Sequence, residues 1–222
     1  MNAMILAAGR GERMRPLTDH CPKPLLSVGG RPLLDWHLAR LEAAGFERVV
    51  INTAWLGEAI RAHVAGLAPT RLEVRMIDEG DQALETAGGI ANALPLLGPE
   101  PFVVINGDVW CDLDLAMLPR EPEGLGHLVL VDNPAHHPQG DFHFDGYAIL
   151  RDGDTPRYTF AGIGCYRPEL FAGLRPQVAP LAPLLARACE RRQLTGHYHH
   201  GEWWDVGTPA RLHALDARLT PD

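Results

Sequence analysis

Ala3 to Leu6 constrain this chain most. The run is too short for an amphipathic helix and reads as a buried strand. It breaks into Ala7-Ala8-Gly9-Arg10-Gly11, small residues that let a ligand approach the backbone, with glycine free to take positive φ. The same succession then recurs. A helix starts at Pro32, carries Leu34, His37, Leu38 and Leu41 on one face and ends near Gly45. Val49 to Ile51 follows as a strand, Ala54 to Val64 as a helix, and Leu72 to Ile77, Phe102 to Ile105, Leu128 to Val131 and Thr159 to Tyr166 as further strands. Such alternation predicts an α/β fold with a mostly parallel, mixed sheet and helices on both faces. No repeat or low-complexity linker interrupts it, and 222 residues that are 46% hydrophobic suit a single domain over 1–222.

Three arginines (Arg10, Arg13 and Arg15) follow the first strand within six residues. Backbone N–H groups and guanidinium forks together suit a polyphosphate. The spacing excludes two familiar phosphate loops. Met14 stands where a dinucleotide fingerprint needs a small residue, and Gly11-Glu12-Arg13 replaces the G-K-[ST] of a P-loop. The plainer alternative is a strand-to-helix turn with solvated arginines.

A formal charge of −8 argues against nucleic acid or an anionic membrane as partner. No apolar run approaches a transmembrane span, and Met1-Asn2-Ala3 lacks a signal peptide's basic start, so a cytoplasmic location is expected. Cys21, Cys111, Cys165 and Cys189 are scattered, which predicts free thiols, with disulfides the alternative. Of 20 basic residues 19 are arginine, and Lys23 is the only lysine. A site that needs a compact point charge would resist replacement by a planar fork.

Other strand ends carry polar groups. In Glu79-Gly-Asp-Gln-Ala-Leu-Glu-Thr-Ala-Gly-Gly-Ile90, Thr86 is expected to cap a helix running through Leu94, with Gly88 and Gly89 as close-approach positions. A plain capped helix is the alternative. Phe102 to Ile105 runs into Asn106-Gly107-Asp108, beyond a strand's carboxyl end, where open sheets bind ligands. A carboxylate there is a hard ligand suited to Mg²⁺, although Asn-Gly-Asp is also common in turns. Asp132 to Asp154 is rich in turn residues and predicts a hairpin of Phe142–Phe144 and Tyr147–Leu150, with Asp141 a candidate contact for sugar or metal. Gly162 and Gly164 allow either close approach or a bulge. His197, His199 and His200 read as a strand face, His136-His137 as loop surface. Asp205 precedes a glycine turn and a helix from Pro209 to Leu219, so it too sits at a strand end.

Leu6-Ala-Ala-Gly-x-Gly-x-Arg-Met-x-Pro-Leu-Thr18 with Pro22-Lys-Pro-Leu25 resembles the opening of the sugar-1-phosphate nucleotidyltransferases. Glu85-Thr-Ala-Gly-Gly89 is similar to their base- and sugar-facing segment, and Trp204-Asp-Val-Gly-Thr208 to their closing motif. The resemblance extends from Met4 to about Leu219. It implies a Rossmann-like nucleotide-diphospho-sugar transferase fold and in-line attack by a sugar-1-phosphate oxygen on the α-phosphorus of a nucleoside triphosphate. It further implies Mg²⁺ held by Asp108 and Asp205 between the phosphates, Arg13 on the departing pyrophosphate and Lys23 on the reacting phosphate. The nucleotide would lie on Ala8, Gly9, Gly11, Glu12, Arg13, Glu79 and Gly88, the sugar near Glu85, Asn106, Asp141 and Gly162. One departure is clear: many family members carry a Glu-Lys-Pro whose lysine holds the sugar phosphate, and near that place this chain has Asp132-Asn-Pro134.

Asn106-Gly-Asp-Val-Trp110 and His136-His-Pro-Gln-Gly-Asp-Phe142 resemble the branch that joins N-acetylmuramate 1-phosphate to UTP in cell-wall recycling. A mannose-1-phosphate guanylyltransferase shares the frame. A nucleotide-sugar sensor or regulatory subunit is the alternative of another class, though such proteins tend to lose the lysine or aspartates retained here. Oligomeric state is not legible.

Overall fold

The computed structural model describes residues 1–220. Its strands are β1 Asn2–Leu6, β2 Ser27–Val28, β3 Arg31–Pro32, β4 Arg48–Thr53, β5 Glu73–Asp78, β6 Phe102–Asn106 and β7 Val109–Cys111. They continue with β8 Gly126–Val131, β9 Phe142–Phe144, β10 Ile149–Leu150, β11 Arg157–Tyr166, β12 Leu194–Tyr198 and β13 Trp203–Asp205. The helices are α1 Leu33–Ala43, α2 Gly57–Ala65, α3 Glu85–Leu97, α4 Ala182–Glu190 and α5 Pro209–Leu219.

Strand β1 is central, parallel to β4 on one side and β6 on the other, and β5 extends the sheet parallel to β4. Beyond β6 the sheet turns mixed: β11 runs antiparallel to β6 and β8, and β12 lies parallel to β8. The expected hairpin forms as β9 against β10, and it joins the sheet through β11.

Because the strands are buried on both faces, alternate residues feed two cores. Ala3, Ile5, Val49, Ile51, Val103 and Ile105 pack with Leu34, Leu38 and Leu41 of α1 and Ile60 of α2. Met4, Val50, Phe102 and Val104 pack with Ile90, Ala93 and Leu97 of α3 and Leu185 of α4. A smaller cluster (Met14, Leu26, Val28, Leu33, Val206, Leu212 and Leu215) ties the loop after β1 to α5. The four cysteines are free, and among the described residues no helix is long and apolar enough to cross a membrane.

Two expectations about α3 need correction. Thr86 does not cap it: the helix begins at Glu85 after Leu84, with no side-chain cap. Gly88 and Gly89 do allow close approach, but to protein. A Cβ on Gly88 would overlap the Gln177 carbonyl, and one on Gly89 would lie 2.6 Å from Glu79 Oε1.

Candidate functional site

The carboxyl ends of β1, β4 and β6 open into a cleft of about 450 Å³. Ala8, Gly9, Gly11, Glu12 and Arg13 line it from the loop after β1, and Lys23, Glu79, Glu85, Asn106 and Asp108 complete its walls. Gly11 takes φ 68°, and its carbonyl accepts from Thr18 Oγ1 at 2.8 Å, which holds the loop curled. Gly107 N donates to Leu6 O at 3.0 Å, and a Cβ at 107 would lie 2.5 Å from that oxygen. Only glycine seats Asp108 so close to the end of β1.

Lys23 is buried, and its Nζ lies 2.5 Å from Asp108 Oδ2. The only lysine therefore meets the carboxylate at the end of β6. Strand β13 pairs antiparallel with β7 and brings Asp205 opposite Val109, with Val206 N donating to Asp108 O at 2.8 Å. Asp108 and Asp205 thus come from adjoining backbone segments. Asp205 does not line the cleft, and its Oδ2 lies 3.1 Å from Arg211 Nη1; carboxylates on adjoining segments are nonetheless the hard oxygen donors a small divalent cation prefers.

Asn52 escaped the sequence reading. It is 2% exposed; its Oδ1 accepts from Ala7 N at 2.8 Å and its Nδ2 donates to Glu79 Oε1 at 2.7 Å. Glu79 Oε2 in turn accepts from Leu84 N at 2.7 Å. One amide thereby couples the loop after β1 to the segment leading into α3, and Glu79 is partly spent on shaping the wall. A buried polar residue ending an apolar strand was the signal available. His37 is buried below β7, and burial lowers its pKa to about 4.

Glu85, Thr86 and Asn106 are shared with a second cleft of about 490 Å³, walled also by Asp141, Phe142, Phe160, Pro180 and Leu181. Asp141 is anchored: Oδ2 accepts from Phe160 N at 2.8 Å, and Oδ1 lies 3.1 Å from His137 Nε2. Glu85 adopts φ 58°, a left-handed backbone that costs a non-glycine residue about 1–2 kcal/mol. Gly88 and Gly162 are not brought to either cleft. Gly162 sits at φ 73° in a bulge of β11, its Cα so close to Asn106 that a Cβ would lie 2.6 Å from Nδ2. Arg10 lies over Trp55 at 3.7 Å, and Arg15 Nε bonds Asp19 at 2.8 Å, so of the three loop arginines only Arg13 lines the cleft.

A glycine-curled loop carrying an arginine and a lysine, opposite the Asp108 carboxylate that follows β6, suits phosphorylated ligands across two joined clefts. The nucleotidyl transferase family model matches residues 2–142, and the chain belongs to that family. The N-acetylmuramate alpha-1-phosphate uridylyltransferase of Neisseria meningitidis serogroup B is 48% identical over 98% of this chain and 97% of its own length. That of Caulobacter vibrioides is 34% identical over 98% and 96%. Among solved structures, the inositol-1-phosphate CTP transferase from T. maritima superimposes with a TM-score of 0.76 at 18% identity, over 98% of this chain and 95% of that one, which shows the shared fold.

Proposed function

We propose that this protein joins N-acetylmuramate 1-phosphate to UTP, giving a UDP-sugar and pyrophosphate, in the recycling of cell-wall sugar. The observation that carries this reading is the meeting of Arg13, Lys23 and Asp108 in a cleft continuous with a second, through Glu85, Thr86 and Asn106. The names borne by the two relatives supply the choice of sugar and base.

A phosphate oxyanion is already a nucleophile, so the reaction needs no dedicated base. The sugar-phosphate oxygen forms a bond to the α-phosphorus as the bond to pyrophosphate breaks in line. The protein's work is to align two repelling anions and to neutralise the charge of the transition state. In this reading, backbone at Ala8, Gly9, Gly11 and Glu12 cradles the nucleotide, Arg13 takes charge developing on pyrophosphate, and Lys23 faces the reacting phosphate. Glu79 holds the nucleotide wall in shape through Asn52 and Leu84 N. Glu85, Asn106 and Asp141 face the sugar. Asp108 and Asp205 would hold Mg²⁺, which when bound neutralises phosphate oxygens as a Lewis acid.

The test is pyrophosphate release with Mg²⁺, crossing UTP, GTP, dTTP and CTP against N-acetylmuramate, mannose, glucose and N-acetylglucosamine 1-phosphates. Turnover confined to UTP with N-acetylmuramate 1-phosphate is expected. GTP with mannose 1-phosphate would move the assignment to a guanylyltransferase. Nucleotide binding with no turnover in any combination would make the protein a sensor.

A further inference from the structure

The lysine that many sugar-1-phosphate nucleotidyltransferases use on the sugar phosphate has no counterpart here, because Lys23 is the only one and it meets Asp108. Apart from Arg13, which lines the first cleft and is assigned above to pyrophosphate, other cations near the clefts are engaged. Arg10 stacks on Trp55, Arg15 pairs with Asp19, and Arg157 Nη2 donates to the carbonyls of Gly140 and Asp141 at 3.1 and 3.0 Å.

Arg211 differs. Thr208 caps α5, its Oγ1 accepting from Arg211 N at 3.4 Å, and the Arg211 side chain folds back over β13. Its Nη1 lies 3.1 Å from Asp205 Oδ2 and 2.6 Å from His136 Nε2. Its Nη2 rests on Gly207, a residue of the first cleft, where a Cβ would overlap it. Nε is buried without a partner, and among the described residues Nη2 makes no hydrogen bond. The side chain is 21% exposed, so Nε is withdrawn from water while Nη2, which faces Gly207, is free to take an acceptor. A guanidinium only donates, so in that contact Nε2 of His136 is the acceptor. The same nitrogen lies 3.2 Å from Asp205 Oδ2. His136 braces the guanidinium against the cleft wall. The neighbouring His137 reaches Asp141 of the second cleft, which places this corner on the sugar side.

We propose that Arg211, braced by His136, binds the phosphate of the sugar 1-phosphate, so that a guanidinium fork from α5 replaces the missing lysine. A phosphate monoester offers three acceptor oxygens to a fork with open donors. This rests on the function proposed above.

The experiment compares wild type, Arg211→Gln, Arg211→Lys and His136→Asn. It reads KM for each substrate in turnover, and binding of N-acetylmuramate 1-phosphate and of UTP separately by calorimetry without metal. Arg211→Gln is expected to weaken the sugar phosphate by on the order of 10- to 100-fold while UTP stays within about twofold. Arg211→Lys should recover part of the loss, and His136→Asn should show the same split at smaller size. Equal weakening of both substrates, or unchanged sugar-phosphate affinity with only a lower Tm, would overturn the proposal and leave Arg211 a structural partner of Asp205. If Arg211→Gln does not fold, the split in the other two variants decides. A wild type silent with every substrate pair refutes the functional reading instead, and the calorimetric comparison still reports on Arg211.

Discussion

Asn52 shapes the nucleotide cleft more than several residues that line it. Its amide satisfies Ala7 N and one oxygen of Glu79 at once, from a position closed to water. Asn52→Ala leaves both unmatched and should cost about 1–3 kcal/mol in urea unfolding. Because both cleft walls lean on that amide, KM for the nucleotide should rise together with the loss of stability. Glu85 makes the opposite case. Its left-handed backbone is strained, and among the described residues its carboxylate has no hydrogen-bond or ion-pair partner. Glu85→Gly should therefore raise stability by about 1 kcal/mol while turnover falls, since the strain holds a carboxylate where the two clefts join. Stability and turnover falling together in this variant would remove Glu85 from the site.

At the scale of elements, sequence reading worked where one physical cause acted alone. Helix α5 runs from Pro209 to Leu219 as expected, because proline favours a first turn and Thr208 supplies the cap. The buried strands were legible from apolar runs, the cleft residues Arg13 and Asp108 from their place just beyond β1 and β6, and Lys23 as the only lysine, set in a motif that resembles a family's opening. Reading failed where distant backbone decided. The two glycines of α3 suggested a ligand, and nothing local reveals that the Gln177 carbonyl fills the space beside Gly88. Arg211 was invisible for a similar reason, since folding a guanidinium back over Gly207 depends on β13 meeting β7. Gly88→Ala tests the α3 account. Alanine gains about 1 kcal/mol of helix propensity, yet its Cβ must displace backbone at Gln177, with an overpacking cost of about 1–3 kcal/mol. A lower Tm is expected; a higher one would mean the 177 segment yields freely.

Across the whole molecule, the sheet keeps its parallel half for the nucleotide cleft and ends, beyond β11, in an edge built around histidines. His127 of β8 and His197 of β12 stack with ring centroids 5.2 Å apart, His127 Nε2 lying 2.9 Å from His197 Nδ1 and Nδ1 2.9 Å from Thr195 Oγ1. One shared proton satisfies that contact; a further proton would put a charge on a half-buried ring, and protonating both rings would set two cations face to face. Burial first, and His197 second, lower the pKa of His127 to about 4, and burial lowers that of His197 as well. The unfolded chain therefore takes up a proton here near pH 6.5, which the folded protein refuses until about pH 4. Stability from this pair is complete above pH 6.5 and is lost progressively as pH falls toward 4. His127→Asn keeps a polar group opposite Thr195 and removes the titration. Urea midpoints measured at pH 7.5 and pH 5 (~1 unit above and ~1.5 below the ordinary histidine value) should differ clearly in the wild type and by less in the variant. An equal drop in both proteins would assign the acid sensitivity elsewhere in the fold.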